Sequence, residues 1–95
     1  MNVIAITGNI TADPELKTTP NGISVCSFSV AVRRPNTKDK TDFINCVAWR
    51  ACAEFISKYF RKGQRIEVDG CLTSRNWEDK SGNKRTSFEI TVNNA

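Results

Sequence analysis

Trp77 sits in the most polar stretch of the chain, Thr73-Ser74-Arg75-Asn76-Trp77-Glu78-Asp79-Lys80-Ser81-Gly82-Asn83-Lys84-Arg85, where no neighbouring apolar run can bury an indole. Arg75 precedes it by two residues and Lys80 follows it by three. A flat aromatic between cations suits a flat, anionic partner. Bases strung on phosphates have that chemistry: every base offers a π-face, and base–aromatic stacking contributes roughly 1–3 kcal/mol per base. The same ring would also serve a hairpin that folds back on itself or a contact between subunits.

A second pair of rings stands on a strand-like run, Asp42 to Trp49. Alternation puts Phe43, Asn45, Val47 and Trp49 on one face and Ile44, Cys46 and Ala48 on the other. A small core accepts only one of these faces. The small apolar residues suit a barrel interior, which leaves Phe43 and Trp49 outward beside Asn45. Burial of those rings against another subunit is the competing reading, since exposed apolar patches mark interfaces.

The elements that must hold these rings follow from punctuation and period. Val3 to Ile6 is a β-rich run reaching Gly8, and the turn formers Asp13-Pro14 and Pro20-Asn21-Gly22 close a first hairpin-like connection. Ile23 to Val32 alternates, with Cys26, Phe28, Val30 and Val32 inward, and a polar loop from Arg33 to Thr41 leads to the run carrying Phe43 and Trp49. Ala51 to Lys62 is the single predicted helix, its stripe made by Cys52, Phe55, Ile56 and Tyr59, with Gly63 placed to end it. Gln64 to Ser74 is a fourth strand with Ile66, Val68, Gly70 and Leu72 inward, Gly70 suiting a barrel bend. Arg85 to Val92 is the fifth, carrying Phe88, Ile90 and Val92, and Asp79 to Asn83 turns between the two. This order predicts an all-β chain: a five-stranded OB-fold Greek-key barrel with one helix between strands 3 and 4 and a long strand 4–5 hairpin. Such barrels bind oligonucleotides on the face of their second and third strands, where the outward rings fall.

Ninety-five residues make one small domain, 1–95. Lys and Arg number 14 against 10 Asp and Glu, a net charge of +4, which leans toward polyanions. The cations gather in loops: Arg33, Arg34, Lys38 and Lys40; Arg61, Lys62 and Arg65; and Arg75, Lys80, Lys84 and Arg85 around Trp77. Cys26, Cys46, Cys52 and Cys71 form no C-x-x-C pair and there is no His, so the thiols read as small hydrophobes in a reducing compartment, with no disulfide and no metal site. The apolar run Val3-Ile4-Ala5-Ile6 is too short for export or membrane spanning, and a cytoplasmic protein is expected. Without a His, a phosphate-cradling glycine loop or a Cys–His pair, no catalytic residue and no cofactor are expected; Glu67 and Asp69 read as a solvated strand face.

The segments Gly8-Asn9-Ile10-Thr11-Ala12-Asp13-Pro14-Glu15-Leu16-Lys17, Pro20-Asn21-Gly22 and Thr41-Asp42-Phe43-Ile44-Asn45-Cys46-Val47-Ala48-Trp49 strongly resemble bacterial and phage single-stranded DNA-binding proteins. So do Ala53-Glu54, Tyr59-Phe60-Arg61-Lys62-Gly63 and the stretch from Gly70 to Asn83, which extends the match over nearly the whole chain in one register. The stacking magnitude quoted above comes from proteins of this kind rather than from this chain. The resemblance implies that Phe43, Trp49 and Trp77 stack bases, and that Lys17, Arg61, Lys62 and Arg75 face phosphates, with Arg33 and Arg34 added by location. It implies a homotetramer, or at least a dimer, acting in DNA replication, recombination and repair, in the bacterial nucleoid or, for a phage protein, in the host cytoplasm.

Two departures stand out. After Arg33-Arg34-Pro35 many relatives carry a further aromatic, and this chain has Asn36, which implies one stacking platform fewer. The sequence also stops at Ala95, where the resemblance implies a linker leading into an acidic C-terminal peptide that recruits other enzymes, so no recruitment of such partners is expected of these 95 residues, whether as a natural minimal form or as a core domain. Two other binding functions compete: a primosomal or RNA-binding OB protein, which would read the 2′-hydroxyl, and a protein-interaction OB module that buries the three rings against a partner.

Overall fold

Alternation in residues 24–33 makes the strand around which the others assemble. The computed structural model describes residues 1–37 and 39–95; Lys38, one of the loop cations named above, lies outside the described residues. Its elements are β1 (Ile4–Ile10), β2 (Glu15–Thr18), β3 (Ser24–Arg33), β4 (Thr41–Trp49), α1 (Arg50–Tyr59), β5 (Arg65–Glu78) and β6 (Lys84–Asn94). Strand β3 pairs with β4 in antiparallel register from Val25↔Trp49 to Arg33↔Thr41. Cys26, Phe28 and Val30 thereby face inward opposite Ala48, Cys46 and Ile44.

The barrel closes through β1, which pairs with β5 from Ile4↔Gly70 to Asn9↔Arg65 and with β3 at Asn9↔Ala31 and Ile10↔Val30. Strand β6 completes the circuit, antiparallel to β5 and parallel to β4 at Cys46↔Ile90 and Val47↔Thr91. This is the expected OB architecture of five barrel strands with the helix between β4 and β5, enlarged by a short sixth strand. Strand β2 adds to the outer edge of β3, from Glu15↔Ser27 to Thr18↔Ser24. Its four residues are all exposed, so main-chain pairing alone defines it and no apolar period announces it. The turn expected at Pro20-Asn21-Gly22 joins the two: Gly22 has φ +80°, Thr19 donates its N–H to the Ile23 carbonyl at 2.9 Å, and Ile23 donates its N–H to the Thr19 hydroxyl at 3.1 Å.

The core joins Ile10, Cys26, Phe28, Val30, Cys46 and Ala48 to Ile66, Val68, Ile90 and Val92, and α1 lays Ala53 and Ile56 into it. Two details of the helix differ from expectation. It ends at Tyr59, because Phe60 turns extended to pack its ring against the core. Gly63 therefore caps no helix; at φ +88° it turns the following loop and donates its N–H to the Ile10 carbonyl at 2.7 Å. The buried stripe is Ala53 and Ile56, since a ten-residue helix laid on a barrel touches it along a narrow strip where a small side chain permits close approach. Phe55 and Tyr59 stay exposed, their ring centroids 5.1 Å apart.

Gly70 marks the bend expected of it. A Cβ there would lie 1.9 Å from the Thr91 carbonyl oxygen, and the β5–β6 register shifts between Asp69 and Gly70. Leu72, assigned to the interior by alternation, is exposed, as is Phe88 on the partner strand, because the β5–β6 ribbon has by then left the barrel. All four thiols are free; Cys26 and Cys46 are buried, and burial pushes the Cys46 thiol up to about 12.

Candidate nucleic-acid interface

Residues facing one another across an antiparallel pair point to the same side of a sheet. The register of β2, β3 and β4 therefore sets out the outer face in rows: Lys17, Val25 and Trp49; then Glu15, Ser27 and Val47; Ser29 and Asn45; Ala31 and Phe43; and Arg33 with Thr41. Phe43 is 69% exposed and Trp49 43%. They lie six residue steps apart along the strand, about 20 Å at roughly 3.4 Å per residue. Val47 shares this face but is buried, flanked by Ser27 on β3 and Thr91 on β6.

Local sequence explains how Trp49 comes to close the strip. Its backbone is still extended, with φ −125°, and Arg50 then takes φ +57°, a left-handed step that swings the chain out of the sheet and into α1. The indole is thus held at the junction of β4 and the helix.

A groove of about 410 Å³ runs beside the strip, lined by Thr11 and Ala12 of the β1–β2 loop, Asn45 and Val47 of β4, and Arg75, Ser87 and Glu89 of the ribbon. Trp77 lies two residues beyond Arg75 on the same side of the ribbon, opposite Arg85, and is 45% exposed. The turn beyond it is held by Asp79, whose N–H donates to the Asn83 carbonyl at 3.0 Å and whose carboxylate accepts from the N–H groups of Ser81 and Asn83. The Asn83 backbone bond, aided by the Arg85 side chain, holds that carboxyl below the usual carboxylate range.

The predicted cations divide into two sets. Lys17, Arg33 and Arg75 are exposed on the outer face or its ribbon extension. Arg34 and Arg61 are engaged within the protein. The Arg34 guanidinium donates to both carboxylate oxygens of Asp42, at 2.6 and 3.2 Å, which raises the pKa of Arg34 and lowers that of Asp42. Arg61 donates to the carbonyls of Ser57 at 2.7 Å and Phe60 at 2.8 Å, completing the C-terminus of α1. Lys62 keeps an exposed side chain while its main-chain N–H donates to the Asp13 carboxylate at 2.7 Å, which ties the α1–β5 turn to the loop that lines the groove.

Three nearby residues escaped the sequence reading of the site. Arg65 joins Arg33 in lining a cleft of about 520 Å³, Lys40 joins Arg33 in one of about 470 Å³, and Glu89 places a carboxylate in the groove beside Arg75. Strand parity signals Glu89, which is two residues from Ser87 on the same side; Arg65 needed the β1–β3 closure to bring it to Arg33, and Lys40 the β3–β4 pairing that sets Thr41 opposite Arg33. Asn36 has φ +61°, and Asp39 follows with φ +64° in a loop that Arg34 closes by donating its N–H to the Lys40 carbonyl at 3.0 Å. Asn and Asp accept this left-handed region better than other side-chain-bearing residues, so the turn itself favours Asn36 over a ring. Among the described residues no cluster of three or more His, Cys, Asp or Glu could hold a metal ion, and no helix is long and apolar enough to cross a membrane.

A family model described as the single-strand binding protein family matches residues 1–95. The single-stranded DNA-binding protein of Oceanobacillus iheyensis is 42% identical over 86 residues, covering 86% of this chain and 53% of that protein. Single-stranded DNA-binding protein A of Bacillus subtilis is 42% identical over 94 residues, 95% of this chain and 55% of its own length. Single-stranded DNA-binding protein 2 of Listeria monocytogenes is 41% identical over 96 residues, 97% and 60%. The chain spans a little over half the length of these curated relatives. Matched from its first residue to its last, and at these identities, the chain belongs to the single-strand binding protein family.

Proposed function

We propose that residues 1–95 form one domain that binds and protects single-stranded DNA with little sequence preference during replication, recombination and repair. The observation that carries this reading is the single outer face on which Lys17, Trp49, Asn45, Phe43 and Arg33 follow one another, continued on the ribbon by Arg75 and Trp77. Phe43, Trp49 and Trp77 stack bases; Lys17, Arg33, Lys62 and Arg75 contact phosphates; Arg34 and Arg61 act by holding their own loops. Stacking reads no base edge, so the binding is indifferent to sequence.

Self-association, as a homotetramer or at least a dimer, belongs to the same reading. Among the described pairings, Ile4 to Gly8 of β1 pair only with β5 and leave their other edge unpaired, and Val3, Leu72 and Phe88 are exposed apolar side chains. A free edge and exposed apolar groups suit a second copy. The protein works in the cytoplasm, as a binding protein rather than an enzyme.

Titration of the chain with oligo-dT, followed by tryptophan fluorescence at several salt concentrations, tests the reading. Expected are strong quenching and a log–log salt slope of about −0.7 per phosphate neutralised. Absence of quenching favours a protein-interaction module, and tighter binding to poly-U than to poly-dT favours an RNA-binding one. Light scattering with and without the oligomer counts the subunits.

A further inference from the structure

We propose that Asp79 is a positioning residue for Trp77: its carboxylate ties down Arg85, the cross-strand neighbour of the indole, so that Arg85 braces the stacking ring and makes no phosphate contact of its own. The inference rests on the single-stranded DNA reading above.

The tip of the ribbon converges on this one carboxylate. Oδ1 of Asp79 accepts from the main-chain N–H of Ser81 at 3.0 Å and of Asn83 at 2.9 Å, while Oδ2 accepts from Nε of Arg85 at 3.0 Å. The Asp79 side chain is 22% exposed and that of Arg85 57%, so the anion is the withdrawn partner and holds the more open cation in place. Arg85 stands directly opposite Trp77 in the register, a placement that brings Cβ atoms to about 5 Å. Both line the same cleft of about 450 Å³ near the tip.

A brace is needed here. A two-stranded ribbon with no third layer is marginal by itself, and every residue from Ser74 to Glu78 is exposed. Trp77 has no core beneath it, so its neighbours across the strand set its orientation. The carboxylate also changes what Arg85 offers DNA: with its Nε already engaged by an anion at 3.0 Å, the guanidinium meets an approaching phosphate beside an existing negative charge. Lys80 and Lys84 are exposed and form no salt bridge among the described residues, and they are the tip cations left for phosphates.

The test compares the salt dependence of oligo-dT binding for the wild-type chain, Arg85→Gln, Asp79→Asn and the double variant. Arg85→Gln leaves the slope unchanged and weakens binding by a constant factor at every salt concentration, roughly 3- to 10-fold, the loss expected when one side chain must be ordered on binding. Asp79→Asn keeps an oxygen for the Ser81 and Asn83 N–H groups but releases Arg85. It steepens the slope by about 0.7, one added phosphate contact, and weakens binding at high salt. The double variant returns to the wild-type slope, a reading that stands even if Asp79→Asn loosens the turn. A slope flattened by about 0.7 in Arg85→Gln would mean that Arg85 contacts phosphate, and overturns the proposal; so does an Asp79→Asn chain with both slope and high-salt affinity unchanged. Failure of the wild-type chain itself to bind in a salt-dependent way strikes instead at the function proposed above.

Discussion

From Arg65 to Gly70, β5 pairs with β1, with β6 joining on its other side from Asp69, and Ile66, Val68 and Gly70 are buried; from Leu72 to Glu78 the same strand pairs with β6 alone, and nothing on it is buried. The partner strand changes in the same way: Ile90 and Val92 are buried, while Phe88, two residues outward on the same side, is exposed. Alternation continues through both halves. What stops is the layer behind it, because β1 ends its pairing at Gly70 and β4 reaches β6 only at Ile90 and Thr91. Period assigns a side chain to a face, and only a further layer turns that face into an interior. The enclosed half serves as scaffold, and the free half presents Arg75 and Trp77.

The largest effect that tests this contrast is on stability. Ile90→Ala, in the enclosed half, should lower unfolding free energy by about 2–5 kcal/mol, whereas Phe88→Ala, on the same side of the same strand, should lower it by less than about 1 kcal/mol. Urea denaturation of the two variants measures the difference. A large loss for Phe88→Ala that vanishes on dilution would identify the missing layer as a second copy of the chain.

Binding should show the reverse pattern. Trp77→Ala is expected to weaken oligo-dT binding by roughly 1–3 kcal/mol while moving the urea midpoint little, since the ring has no core beneath it. If Trp77→Ala instead dissociates or unfolds the protein at unchanged affinity, the indole belongs to the scaffold.

A smaller effect is expected at Asn36. Adding a ring there by Asn36→Trp offers one more stacking surface, worth up to about 1–3 kcal/mol. Its backbone has φ +61°, however, and a bulky residue there forfeits roughly 1–2 kcal/mol. The net gain in affinity should therefore be slight and accompanied by lower stability, whereas Thr37→Trp, one residue along the same exposed loop, avoids the left-handed position. Fluorescence titration and thermal melts of both variants distinguish strain from a loop that points away from the DNA.

Much of this molecule is readable from residue order, for identifiable reasons. Cys26, Phe28 and Val30 alternate with Ser27, Ser29 and Ala31, so the barrel strand and its faces follow, and with them the outward placement of Phe43 and Trp49. The polar surroundings of Trp77 likewise disclose an exposed ring. Strand β2 escapes because Glu15 to Thr18 earn their strand only by main-chain bonds to β3. The helix end escapes because Phe60 leaves the helical path for the core. The intramolecular bonds of two cations are legible only once partners are known: Arg34 meets Asp42 across the β3–β4 loop, and Arg61 folds back on its own helix, and neither bond is marked by charge and position alone.

The smallest predicted effect concerns acid. The core holds no buried polar or charged side chain among the described residues, and burial raises its Cys26 and Cys46 thiols, so its apolar packing has no group that titrates in acid. The ribbon tip depends on ionised Asp79, and the β3–β4 loop on ionised Asp42. Both carboxyls are held below their ordinary range, so the folded state binds these protons less readily than the unfolded chain. Their contribution is accordingly complete above the ordinary Asp pKa of about 3.9 and disappears as pH falls through the lower folded-state values. In NMR titrations the amide protons of Ser81 and Asn83, which point at the Asp79 carboxylate, should shift with a midpoint below about 3.9, while those of Ile66 and Val68 stay unmoved as long as the barrel remains folded. Wild type and Asp79→Asn, differing in stability at neutral pH, should converge as that carboxylate is protonated. A midpoint at or above the ordinary Asp value would mean that the tip is not held by the ionised group, and the division between a scaffold secured by apolar burial and a ribbon end secured by charge would fail at the end that carries Trp77.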